Sequence, residues 1–221
     1  MAKKTQSTHS FTLKNVFIGL LIILALAFSG KQFPEILDII LGNEPKMETK
    51  EASPSQQGDN PGPIENGKAS FTKEELKDSK KGWIKYGELD SLGRPTTAEA
   101  LITPDMVGTG TGASQDIRPP GFISGLDPHN HSRGHLIGKQ MGGTGEDLKN
   151  LVTLYQNPVN TPFMTKYENM VRKAADEGDK IRYRVAPVYE GDIGMPIAIH
   201  MEGKSLHSDK IDFNVIIENK K

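Results

Sequence analysis

The residues best suited to chemistry lie between positions 129 and 168. His129, His131 and His135 follow a stretch rich in Gly and Pro, and His135 stands in HSRGHLIGKQMGG with Arg133 two residues before it. The glycines on both sides predict a permissive, exposed backbone around this histidine. Downstream, NLVTLYQNPVNTPFMTKYEN carries Asn150, Asn157, Asn160 and Glu168. A neutral imidazole with an ordinary pKa of about 6.5 can take a proton from water near neutral pH. Asn160 precedes a helical pattern, and Glu168 follows it by eight residues, about two turns, so an amide oxygen and a carboxylate share one surface. Magnesium suits such a pair, because it prefers oxygen, keeps several waters and often takes only one or two protein ligands. With an arginine fork to hold a developing oxyanion, the set would serve hydrolysis of a phosphodiester.

Each of these residues also has an ordinary structural role open to it. His135 could cap a turn or sit in a core, Asn160 could cap the helix before Thr161 and Pro162, and Glu168 could be a solvated helix charge. Asn150 reads as a loop-structuring residue. The spacing of His129, His131 and His135 is also compatible with zinc ligation by imidazole. No cysteine and no carboxylate at the usual hydrolase spacing accompanies them, which makes zinc the weaker reading.

The surrounding pattern is that of an α+β domain with an antiparallel sheet. Thr72 and Glu75 have capping-box spacing and predict a short helix from Phe71 to Lys80. Trp83 to Tyr86 and Ala98 to Ile102 read as strands, and Pro104 to Pro128 as loop. Phe163, Tyr167, Met170, Val171 and Ala174 recur at helical intervals over Pro162 to Glu177, with Gly178 as the stop. Ile181 to Tyr189, Met195 to Glu202 and Ile211 to Glu218 read as strands. Arg94, Arg172, Lys173, Arg182 and Arg184 are candidates for phosphate contacts, of which Arg94, Arg182 and Arg184 are the named substrate-binding expectations.

The chain has 221 residues and a formal net charge of −1, so it is not the strongly basic object that a non-catalytic nucleic-acid binder tends to be. The absence of cysteine excludes disulfides, thiolate-bound zinc and thiol nucleophiles. Lys3, Lys4 and Lys14 precede thirteen apolar residues from Val16 to Phe28, the pattern of a signal peptide or membrane anchor over residues 1–30. A full span needs about 20 such residues, and no small-x-small cleavage site is evident, so removal and retention stay open. A short amphipathic segment, Phe33 to Leu41, and a polar, Pro- and Gly-rich linker complete residues 31–68, and the folded domain is expected over 69–221.

SRGHLIG, then NLVTLYQNPVN, then a helix bearing YEN resembles the DNA/RNA non-specific endonucleases of the ββα-metal (His-Me finger) group. The resemblance is strongest to exported Gram-positive members, which include membrane-bound DNA-entry nucleases and secreted nuclease toxins. It takes in WIKYGELDSLGRP upstream and KIRYRVAPVYEG downstream, roughly Trp83 to Glu190. It implies a ββα-metal nuclease core with a central antiparallel sheet flanked by helices. The family motif is Asp-Arg-Gly-His, which makes His135 the general base and Arg133 the motif arginine, with Ser132 where the family has aspartate. By the same resemblance Asn160, with Asn157 as the alternative, is the Mg2+ ligand, and Glu168 orients metal-bound water. Mn2+ could substitute, since both ions accept oxygen ligands. The implied partners are DNA and RNA as substrates, the membrane through the N-terminal segment and, for a toxin, an immunity protein. The reading from a different class is a membrane-tethered, non-catalytic module that binds nucleic acid or cell-wall polymer.

Overall fold

The computed structural model describes residues 60–221 apart from Leu126. The expected signal or anchor, the amphipathic segment and the linker as far as residue 59 lie outside the described residues. Among the described residues no helix is long and apolar enough to cross a membrane.

Eight strands form, numbered along the chain as β1 Ile64–Glu65, β2 Trp83–Tyr86, β3 Ala98–Ile102, β4 His131–His135, β5 Leu151–Tyr155, β6 Ile181–Val188, β7 Ala198–Ser205 and β8 Asp212–Glu218. Six of them make one antiparallel sheet in the order β1-β8-β7-β6-β3-β2, and β4 and β5 pair separately as a second, two-stranded sheet. A wide-turned, kinked segment, Gln156–Met164, leads from β5 into the helix α1, Thr165–Asp176. Hairpin and helix together are the ββα unit that the resemblance implies, and the six-stranded sheet is its antiparallel support. Helix α1 is the one α-helix among the described residues, and short 3-10 turns take the place of further flanking helices.

Alternation along β6 decides which face of the sheet carries the core. Ile181, Tyr183 and Val185 point inward and are fully buried with Tyr167, Val171, Ala174 and Ala175 of α1 and Val152 and Leu154 of β5. Burying side chains of this size stabilises a fold by about 1.5–3 kcal/mol each relative to exposure, so the helix is held by its packing face. Gly178, at φ +93°, takes the left-handed conformation that ends it.

On the outer face Arg182 and Arg184 cross to Glu99, and Arg184 also reaches Glu75 and, at 2.7 Å, Glu202. Phe71 lies under both guanidinium groups, at 5.0 and 4.7 Å. The expectation that these arginines contact phosphate is therefore corrected. Arg182 is only 2% exposed and spends its charge on Glu99 of the neighbouring strand, while Arg184 pairs with Glu75 and so clamps the 69–75 segment to the sheet.

Three further expectations change. The capping box at Thr72 and Glu75 forms, with Glu75 accepting from the Thr72 backbone at 2.9 Å, but it closes a single turn instead of a helix. Only Leu76 and Phe71 are apolar in that stretch, so a second turn would have nothing to bury against the cost of nucleation. The sheet also begins before Ala69, because Ile64 and Glu65 pair with Ile216 and Val215 of β8. Backbone pairing and a hydrogen bond from Tyr167 Oη to Glu65 at 3.3 Å hold this two-residue edge strand, which is too short to show an alternating pattern in the sequence. Finally, His131–His135 and Leu151–Tyr155 are strands, where a permissive loop was expected around His135.

Candidate active site

His135 closes β4 opposite Leu151, which fixes its ring at the mouth of a cleft instead of on a mobile loop. Its Nε2 lies 3.0 Å from the carbonyl oxygen of Thr111. A carbonyl can only accept, so Nε2 carries the proton and Nδ1 of the neutral ring keeps its lone pair. Burial pushes the imidazole below its ordinary pKa, with Lys139 acting the same way and the Thr111 bond opposing. The ring is therefore neutral at physiological pH, as a proton acceptor must be.

Asn160 sits in the kinked segment, not on a continuous helix, since Thr161 interrupts it with extended dihedrals. The kink does what two helical turns were expected to do and presents Asn160 and Glu168 to one cleft. The Asn160 amide nitrogen donates to Gln156 Oε1 at 3.1 Å, and its Oδ1 receives no hydrogen bond from the described residues. A Cβ placed on Gly134 would lie 3.5 Å from that Oδ1, so the amide oxygen stands beside the residue that precedes His135.

Glu168 is buried, and its Oε2 accepts from Gln140 Nε2 at 3.0 Å. Burial raises its pKa to about 7, against the lowering effect of Gln140. Gly138 makes room for it, because a Cβ there would come within 2.8 Å of Glu168 Oε1. His135, Asn160, Glu168, Gln140, Gly138 and Lys139 line one cleft of about 410 Å³, together with Gly112, Ala113, Thr165 and Asn169.

A buried carboxylate and a fixed amide oxygen, set in a hydrated cleft, are the donors a magnesium ion can use while keeping most of its waters. The residues present thus fit the implied ion. Among the described residues no three His, Cys, Asp or Glu side chains converge as a metal cluster. His129 and His131 instead pack their rings 5.7 Å apart on the hairpin.

The remaining candidates fall outside the cleft. Asn157 has extended backbone dihedrals, and its carbonyl accepts from Asn130 at 2.8 Å. Arg133 shares the His135 face of β4 but lies over the Phe122 ring at 5.0 Å. Ser132, at the family's aspartate position, faces the other way, with Oγ 3.4 Å from the Leu154 carbonyl. Arg94 corrects another expectation. It bonds Asp90 at 2.7 Å and the Gly191 and Ile193 carbonyls at 2.7 and 3.0 Å and stacks on Tyr189, so it staples two loops and is not placed to bind phosphate. Arg172 pairs with Asp176 on the helix surface. Asn150 is a loop-structuring residue, fully buried and bonded to Ile137 N, Ile137 O and Thr144 O at 2.8, 3.0 and 2.7 Å. Gln140, Gln156 and the Thr111 carbonyl were not singled out from sequence. Gln140 and the Thr111 carbonyl meet their partners only when distant loops come together, and Gln156, four residues before Asn160, reaches it only through the kinked geometry of their shared segment.

The Glu168 environment makes fold stability depend on pH. Its pKa is about 7 in the fold against an ordinary 4.5, so the folded chain retains a proton that the unfolded chain gives up across that window. Stability of the metal-free protein should fall as pH rises from 4.5 to 7 and then level off, at a full cost of roughly 3 kcal/mol. Denaturant unfolding in EDTA at pH 5 and pH 8 is expected to show this loss in the wild type and not in Glu168→Gln. Equal losses in both would place the cost elsewhere.

The DNA/RNA non-specific endonuclease family model matches residues 74–207. Among solved structures, NucA from Streptococcus agalactiae with magnesium bound is 25% identical at a TM-score of 0.61, covering 74% of this chain and 85% of its own. The same protein without metal is 26% identical at a TM-score of 0.60, with 72% and 80% covered. Sda1 nuclease with bound zinc is 20% identical at a TM-score of 0.58, with 71% and 90% covered, and shares the fold. The matched span runs from the capped turn at Thr72–Glu75 past β7 and encloses every residue of the cleft, and on that ground the chain belongs to the DNA/RNA non-specific endonuclease family.

Proposed function

We propose that this protein is a magnesium-dependent endonuclease that hydrolyses phosphodiester bonds of DNA and RNA outside the cytoplasm with little sequence preference. The observation that carries the reading is the convergence of His135, Asn160 and Glu168 on one cleft from three separate elements. Export is supported by the basic, then apolar, N-terminal run.

His135 Nδ1 takes the proton of an attacking water, while the Thr111 carbonyl holds the ring in the tautomer that makes this possible. Asn160 Oδ1 would hold the ion, Glu168 would steady its hydration, and when bound the ion neutralises charge on the leaving 3′-oxygen, giving 5′-phosphate products. Gln156 and Gln140 fix those two side chains before substrate arrives, so little reorganisation is needed. Arg133, two residues from His135 on the same strand face, supplies positive charge for the phosphate backbone.

The test is digestion of supercoiled plasmid and of RNA by the purified chain with Mg2+, with Mn2+ and with EDTA. Degradation of both polymers that stops in EDTA is expected. A folded protein that cuts neither with any divalent ion would overturn the reading in favour of a non-catalytic tethered binder.

A further inference from the structure

Four of the six arginines are neutralised by carboxylates, namely Arg94, Arg172, Arg182 and Arg184. The other two, Arg118 and Arg133, have no carboxylate partner among the described residues, and both contact the loop that carries Phe122. Arg118 is exposed and donates to Ser124 Oγ at 2.6 Å, while Arg133 lies over Phe122. Between positions 117 and 135 the sequence holds one acid, Asp127, against these two arginines and three histidines.

The same region carries a chain of rings. Phe122 and His131 are 6.5 Å apart, His131 and Tyr155 5.6 Å, and Lys221 stands over Tyr155 at 5.7 Å. His131, Arg133 and His135 alternate onto one face of β4, so Arg133 and the Phe122 ring against it come nearest the general base, while His131 and its cross-strand partner Tyr155 lie at the far end, about 13 Å of strand away. The Ile123 backbone N–H donates to His131 Nδ1 at 3.2 Å, which ties the loop bearing Phe122 to the strand. Burial first, and then neighbouring His129 and Lys221, hold the His131 imidazole below its ordinary pKa. A cluster that only pinned this loop would need rings but no unpaired cations. Cations without carboxylates, interleaved with partly exposed rings, are what a polyanion with stackable bases requires.

We propose that this hairpin face is a track for single-stranded nucleic acid leaving the cleft, with phosphates on Arg118 and Arg133 and bases stacked on Phe122, His131 and Tyr155. The proposal rests on the nuclease reading and specifies which form of substrate it grips. It implies tighter binding of single strands and frayed ends than of uninterrupted duplex, whose bases cannot reach the rings.

The test measures binding of a fluorescein-labelled 12-nucleotide single-stranded DNA by fluorescence anisotropy, using the full chain with His135→Ala so that the strand stays intact. Phe122→Leu, which keeps apolar packing but removes the ring face, is expected to weaken binding roughly fivefold or more, while Phe122→Tyr should retain it. Arg118→Ala should lower the slope of log affinity against log salt by about 0.7. Because Arg118 is exposed and bonds only Ser124, that variant decides the matter if Phe122→Leu fails to fold. Folded variants with the parent's affinity and salt slope would overturn the track and leave the nuclease standing. A parent that binds no single strand would likewise overturn the track, and the nuclease reading would then stand or fall on the digestion of plasmid and RNA.

Discussion

Replacing His135 with alanine is expected to slow cleavage by about 10²- to 10⁴-fold, the usual contribution of a positioned general base, while nucleic-acid affinity stays close to that of the wild type. The effect should be large because the neutral tautomer is already selected. The Thr111 carbonyl engages Nε2, and burial keeps the ring uncharged at neutral pH. A water molecule taking over as base would have neither the pKa nor the fixed position. Single-turnover cleavage of a labelled duplex at saturating Mg2+ is the measurement, with affinity followed separately by anisotropy. With wild-type protein the rate should rise with pH and level off by about pH 7, since the base loses its proton below the ordinary histidine range of about 6.5. A loss smaller than tenfold, or a loss explained by weaker binding, would remove His135 from the role of base.

Asn160→Ala is expected to cost on the order of 10²- to 10³-fold in rate and to raise the Mg2+ concentration needed for half-maximal activity, since an ion at the leaving oxygen supplies several kcal/mol. Asn157→Ala provides the contrast. The Asn157 carbonyl, which the substitution leaves in place, makes the contact with Asn130, and the residue does not line the cleft, so a change within about twofold is expected. Magnesium titrations of both variants at fixed substrate would separate the two asparagines. The reverse ranking would assign the ion to Asn157 and require the kinked segment to rearrange when metal binds.

Much of this molecule was legible in the chain because its signals are local. The strand Ala98–Ile102 and the stop at Gly178 follow from alternation and glycine chemistry, and the family resemblance singled out His135, Asn160 and Glu168. The charged groups proved harder to read, because a sequence gives the sign of a side chain but not what neutralises it. Arg182 and Arg184 looked like phosphate ligands until β3 and β7 brought Glu99 and Glu202 against them. Helical counting paired Asn160 with Glu168, yet the backbone between them is kinked at Thr161. Gln140 stayed invisible because Glu168, which it braces, is distant in the chain, and Gln156 because its contact with Asn160 four residues on depends on the kinked backbone between β5 and α1. Capping chemistry at Thr72 was read correctly, but a cap does not supply an apolar face for a helix to bury.

The two-residue strand β1 also bears on solubility. Its partner β8 reads DFNVIIE, and without β1 its backbone donors and acceptors would form an open, strongly apolar border of the sheet. Asn60 reaches the Glu218 and Lys220 carbonyls, Ile64 and Glu65 take the middle of β8, and Asn66 and Gly67 bond Asn214, so residues 60–67 seal the length of that border. Borders of this kind recruit other chains by strand addition. A protein trimmed at Ala69 would keep its whole cleft and still be prone to self-association, because the segment that reads as linker is also the sheet's protective hem.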